Sequence, residues 1–143
     1  MSFNVLIVDD SSSMRAVIKK VITISGFKLN NCYEAGNGRE ALEQLKQNWV
    51  DAIISDINMP EMNGLELLKE LQHDSLYKNI PAIVVSTEGS TERMNEALQA
   101  GAKGFIKKPF LPEDIRKVLY DVIGVGGDGK YQEDRRDANE VDF

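Results

Sequence analysis

The stretch Ile53-Ile54-Ser55-Asp56-Ile57-Asn58-Met59-Pro60-Glu61-Met62-Asn63-Gly64 decides the fold. A short apolar run stops abruptly at an acid. A proline and an Asn-Gly pair, both turn signals, come soon after. Short apolar runs bounded in this way read as buried strands of a parallel sheet. Asp56 then falls just past a strand's carboxyl end, where open α/β sheets place their ligands.

The same pattern recurs on either side. Val5 to Val8 is a compact apolar run that ends at Asp9-Asp10. Ser11, Ser12 and Ser13 are good N-cap residues for a helix carrying Met14, Val17, Ile18, Val21 and Ile22. Gly26 ends that helix. Leu29 to Ala35 is a weaker strand, and the polarity of Asn30 and Asn31 suits a sheet edge. Gly36-Asn37-Gly38 is a turn, followed by a short helix marked by Ala41, Leu42 and Leu45. Beyond the opening stretch, Leu65, Leu68 and Leu71 mark a helix with Gly64 just before it. Ala82 to Ser86 is a strong strand. Ser90 or Thr91 can cap a helix carrying Met94, Ala97 and Leu98. Gly104-Phe105-Ile106 is a short strand ended by Lys107, Lys108 and Pro109. Pro112 opens a helix carrying Ile115, Val118, Leu119, Val122 and Ile123. Strands and helices therefore alternate five times. That alternation predicts an α/β fold, a doubly wound five-stranded parallel sheet with helices on both faces.

Composition narrows the function classes. A chain of 143 residues fits one domain, and 42% hydrophobic with 28% charged residues fits a soluble globule. The formal charge of −6 argues against nucleic acid as a partner, which needs a basic face. No apolar run approaches the ~20 residues of a membrane helix. A single cysteine, Cys32, leaves no internal disulfide. With no leader pattern before Val5, the expected location is cytoplasmic. From Gly124 onward glycines and acids replace the apolar stripe. Residues 1–124 read as the folded domain and 125–143 as a flexible acidic tail.

Asp9-Asp10, Asp56, Ser86 and Lys108 each follow the apolar part of a different strand. In a parallel sheet these ends share one edge, so the four segments converge on one crevice. Three carboxylates there repel one another unless a cation joins them. An oxygen-only donor set suits Mg²⁺, with Mn²⁺ as a substitute, and such an ion keeps waters and takes a phosphate oxygen. Asp9 and Asp10 taken alone read equally as helix caps, and Asp56 alone as a turn cap. Beside a dication, Asp56 becomes a carboxylate nucleophile for phosphoryl transfer. Ser86 can donate to a phosphoryl oxygen, and Lys108 offers a point charge for phosphate.

Several motifs together resemble the receiver domain of two-component response regulators, most closely the single-domain chemotaxis (CheY-like) type. They are Val8-Asp9-Asp10-Ser11-Ser12-Ser13-Met14-Arg15, Asp56 with Met59-Pro60 and Asn63-Gly64, Val85-Ser86, and Ala100 to Phe105 through Lys108-Pro109-Phe110. The resemblance spans residues 4 to about 123. It implies a flavodoxin-like sheet of strand order 2-1-3-4-5. It also implies that Asp56 accepts a phosphoryl group from a histidine kinase. Asp10 would ligate Mg²⁺ directly, Asp9 would help through water, and the backbone carbonyl of Asn58 would be a further ligand. Ser86 and Lys108 would bind the phosphoryl group, and the Lys108-Pro109 bond would be cis. On phosphorylation Ser86 would move toward the phosphate and Phe105 would swing inward. The face made by the fourth helix, fifth strand and fifth helix would then change its affinity for a partner.

Two departures stand out. The switch aromatic is Phe105 rather than tyrosine, so its states differ by packing alone. Thr87 follows Ser86 where the family often has a smaller residue, which narrows access for a kinase histidine or a phosphatase. Asn58 and Glu88 match polar positions that line the approach of water. The resemblance points to a flagellar motor switch protein as the target. A phosphate sink, a relay, or a receiver cut from a longer regulator are the alternatives. An Mg²⁺-dependent aspartyl phosphohydrolase would carry a second acid at position 58, which is Asn58 here. A flavodoxin-like flavin carrier would set Asp9-Asp10 against a flavin phosphate. No turnover of an external substrate is expected.

Overall fold

The computed structural model describes residues 2–87 and 91–124. The order is β1 (Phe3–Val8), α1 (Ser12–Ser25), β2 (Leu29–Ala35), α2 (Gly38–Gln47), β3 (Ala52–Asp56), α3 (Gly64–Gln72), β4 (Ala82–Ser86), α4 (Thr91–Gln99), β5 (Gly104–Lys107) and α5 (Pro112–Ile123). All strand pairs are parallel and the sheet order is β2-β1-β3-β4-β5. This is the flavodoxin-like arrangement, with the polar strand β2 at one edge. The sequence reading of residues 125–143, and of Glu88 and Ser90, concerns positions outside the described residues.

Side chains alternate across the pleat, so each central strand feeds both faces. Val5, Ile7, Ile54, Ile83 and Ile106 pack on Ile18 and Ile22 of α1 and on Ile115 and Leu119 of α5. Leu6, Val8, Ile53 and Val84 pack on the other side with Ala41, Leu45, Leu67, Leu68, Leu71 and Ala97, from α2, α3 and α4. The near-continuous apolar runs of β1, β3 and β4 follow from this double burial.

Helix ends match their local chemistry. The Ser11 hydroxyl accepts from the Met14 N–H and caps α1, and Gly26, with φ of 87°, closes it in the left-handed region. Asn63 and Glu66 form a reciprocal capping box at the start of α3. The Asn63-Gly64 pair is thus a cap and the first helical residue rather than a free turn.

Further details differ from the sequence reading. Asp56 is the last residue of β3, not the residue after it. In α3 the fully buried leucines are Leu67, Leu68 and Leu71, while Leu65 lies at the border of the core. Spacing alone cannot separate Leu65 from Leu67 when both flank one stripe. In α4 only Ala97 is buried. Met94 and Leu98 are 36% and 46% exposed, so the apolar positions of α4 face outward as much as inward.

Candidate functional site

Strand register builds the site. Val8 is paired with Ser55, which sets Asp9 level with Asp56. Asp56 is paired with Val85, which puts Ser86 one residue higher. Ser86 is paired with Lys107, which puts Lys108 one residue higher again. Each step raises the edge by roughly 3.3 Å. The acids therefore form a floor, and Ser86 and Lys108 rise beside it. The Lys108 N–H donates to the Ser86 carbonyl at 2.8 Å, which ties the two rising strand ends together.

The three acids do meet. Asp9, Asp10 and Asp56 each offer a carboxylate oxygen within 4.8 Å of the others. Asp9 is buried, Asp56 is half-buried and Asp10 is exposed. The Lys108 Nζ lies 3.6 Å from Asp9 Oδ2, an ion pair too long for a hydrogen bond. Asp9 Oδ1 accepts from the Ser11 N–H at 2.9 Å. Asp9 Oδ2 is buried and has no hydrogen-bond partner. A buried anionic oxygen without a donor is costly, and a hard dication would relieve that cost with an all-oxygen donor set. The residues present fit Mg²⁺.

Asn58 is exposed in the loop that leaves β3. Ser86 is buried at the end of β4. Phe105 is partly buried and packs against the core on the α2–α4 side. The Lys108-Pro109 peptide is cis.

Burial raises the Asp56 carboxyl above its ordinary 3.8. Lys108 and the Ile57 N–H oppose the rise, and Asp9 and Asp10 add to it. The Ile57 N–H donates to Asp56 Oδ1 at 2.8 Å. The sign of the pH dependence follows. In the metal-free protein the folded state holds this proton more tightly than the unfolded chain does. The contribution of Asp56 to stability is therefore fully present below 3.8 and is lost as pH rises through the raised value. Urea unfolding in EDTA, run as a pH series on wild type and Asp56→Asn, isolates this group. The stability of wild type minus that of the variant should fall with rising pH, and added Mg²⁺ should reverse the trend. A difference that rises with pH without metal contradicts the assignment.

Two residues that sequence reading leaves without a role belong to this site. Gly64 lies against the backbone of Asp56 and Ile57, and its N–H donates to the Ile57 carbonyl at 2.7 Å. A glycine after asparagine gives only a turn signal, so the close approach was invisible in the sequence. Arg15 donates from Nη1 to the Asp9 carbonyl at 2.6 Å. It stands on the first turn of α1, and the sequence offers it only as the last residue of the motif Val8 to Arg15, with no role attached.

A profile of the response regulator receiver domain matches residues 5–120. The chain belongs to the response regulator receiver family. This receiver is 44% identical over 126 residues to a chemotaxis protein CheY homolog of Campylobacter jejuni, covering 87% of this chain and 95% of that one. It superposes on the chemotaxis response regulator CheY4 of Vibrio cholerae with a TM-score of 0.75 and 38% identity, over 85% of this chain and 99% of that one. A CheX-CheY-BeF₃-Mg²⁺ complex from Borrelia burgdorferi contains a similar chain, with a TM-score of 0.73 and 32% identity, over 84% of this receiver and 88% of that chain. Receiver domains of this kind are signalling modules. No helix among the described residues is long and apolar enough to cross a membrane.

Proposed function

We propose that this receiver is a phosphorylation-switched signalling module of chemotaxis, with Asp56 as the phosphoacceptor. The observation that carries the reading is the meeting of Asp9, Asp10 and Asp56 beside Lys108. The proposed receiver domain is residues 1–124, with its bounds read from the sequence.

A histidine kinase's phosphohistidine is the donor. An Asp56 carboxylate oxygen attacks the phosphorus. The P–O bond forms as the P–N bond breaks, and the electron pair returns to the histidine nitrogen. Lys108 and Ser86 hold the phosphoryl oxygens. Asp9, Asp10, Asp56 and the carbonyl of Asn58 would hold Mg²⁺, which would supply charge neutralisation when bound. A cavity of about 370 Å³ opens beside Lys108, lined by Met14, Val17, Val21, Thr87, Pro109 and Phe110. It offers the donor protein an apolar footing. A phosphatase would approach the same edge, past Thr87, which follows Ser86.

The buried Ser86 and half-buried Phe105 suit the switch. Phosphate at Asp56 draws Ser86 toward it, and Phe105, which has no hydroxyl to hold outside the core, moves in by packing alone. Outward-facing Met94 and Leu98 on α4 then form part of the output surface. A flagellar motor switch protein is the expected target, by analogy with the chemotaxis relatives. No turnover of an external substrate is part of this role.

Acetyl phosphate tests the reading. In Mg²⁺ the protein should take up one phosphoryl group per chain, and the Phe105 ring resonances should shift in the same sample. EDTA should block both changes. Uptake that ignores EDTA contradicts the proposal, and steady hydrolysis of phosphate esters would favour a phosphohydrolase instead.

A further inference from the structure

We infer that Arg15 is a positioning residue for the divalent-ion site: it clamps the Asp9-Asp10 peptide to the neighbouring strand and so sets the carboxylates that hold the ion. The inference rests on the Mg²⁺ reading above and adds a residue to it.

The Arg15 side chain is only 18% exposed, unusual for an arginine on the first turn of a surface helix. Its guanidinium makes two directed bonds. Nη1 donates to the Asp9 carbonyl at 2.6 Å. Nε donates to Glu34 Oε1, on β2, at 2.8 Å. The Asp9 carbonyl lies in the same rigid peptide plane as the Asp10 nitrogen. Fixing that oxygen therefore fixes the pivot between the two acids.

The remaining contacts of Asp9 complete the clamp. Its N–H donates to the Ala35 carbonyl at 3.0 Å, and its Oδ1 accepts from Ser11. Backbone nitrogen, backbone oxygen and one carboxylate oxygen are all tied, which leaves Oδ2 buried and without a hydrogen bond. Arg15 supplies the tie that runs through a side chain to a second strand. It touches none of the reacting atoms.

A competing role has the opposite sign. If Arg15 acted only through its positive field, it would weaken cation binding, and removing it would tighten the site. Two variants separate field from geometry. Arg15→Lys keeps the charge but loses the planar fork that serves two acceptors at once. The double variant Arg15→Ala/Glu34→Gln removes one charge of each sign and leaves the net charge unchanged.

Calorimetric titration with Mg²⁺ alone, with the metal-free thermal midpoint measured beside it, decides the matter. Clamping predicts that both variants raise the Mg²⁺ dissociation constant about tenfold or more, as loss of a group that orients metal ligands does, while the metal-free midpoints stay within a few degrees of wild type. Wild-type affinity in both variants overturns the inference. So does a loss of affinity that appears only with a collapse of the metal-free midpoint, which marks a merely structural residue. If wild type itself binds no Mg²⁺, the metal reading fails and the clamp fails with it.

Discussion

Gly64→Ala should unfold at markedly lower urea, with a loss of about 2–3 kcal/mol. A Cβ at position 64 would lie 2.2 Å from the Asp56 carbonyl oxygen and 2.9 Å from the Ile57 Cα. Both obstacles are backbone, so no side chain can rotate away. Alanine favours helix over glycine by up to about 1 kcal/mol, and the clash outweighs that gain. Relief requires α3 to move away from the end of β3, which drags Asp56 from its place beside Asp9. The same variant should therefore bind Mg²⁺ more weakly. Urea midpoints and Mg²⁺ titration on one preparation read both effects. A variant as stable as wild type would show that the contact of α3 with β3 is loose.

Lys108→Met should cut phosphoryl uptake from acetyl phosphate by about a hundredfold or more and should destabilise the metal-free protein by about 2 kcal/mol. Methionine keeps the unbranched stem that lines the apolar cavity. Only the charge is lost. Asp9 Oδ2 then remains buried with neither a hydrogen bond nor the cation at 3.6 Å. Saturating Mg²⁺ should restore most of the lost stability, because the ion takes over the neutralising of Asp9. It should not restore the uptake rate, because the phosphoryl oxygens still lack the ammonium. Stability that falls equally with and without Mg²⁺ would mean that Lys108 and the ion act on different carboxylates.

The fold was legible in the sequence because the central strands are buried on both faces. Val5 to Val8, Ile53 to Ser55 and Ala82 to Ser86 are short apolar runs that local pattern can identify, and the polarity of Asn30 and Asn31 marked the edge strand. Legibility of the acid cluster has the same origin. An acid or lysine directly after a buried strand has one place to go, the shared carboxyl edge. What escaped the sequence depends on contacts between segments far apart. The close approach of Gly64 to Asp56 and the reach of Arg15 to Glu34 leave no local periodicity. Helix α4 misled for a different reason. Met94 and Leu98 have the spacing of a core stripe but sit on a surface where Ala97 alone suffices for burial. Both residues lie on the face for which an output role is proposed.

The most direct measurement is intact mass, followed by peptide mapping, of wild type and Asp56→Asn after incubation with acetyl phosphate and Mg²⁺. Wild type should gain one phosphoryl group, mapped to the peptide carrying Asp56, and the variant should gain none. A variant that takes up as much as wild type, or a wild-type phosphoryl group mapped to any other side chain, would contradict the assignment.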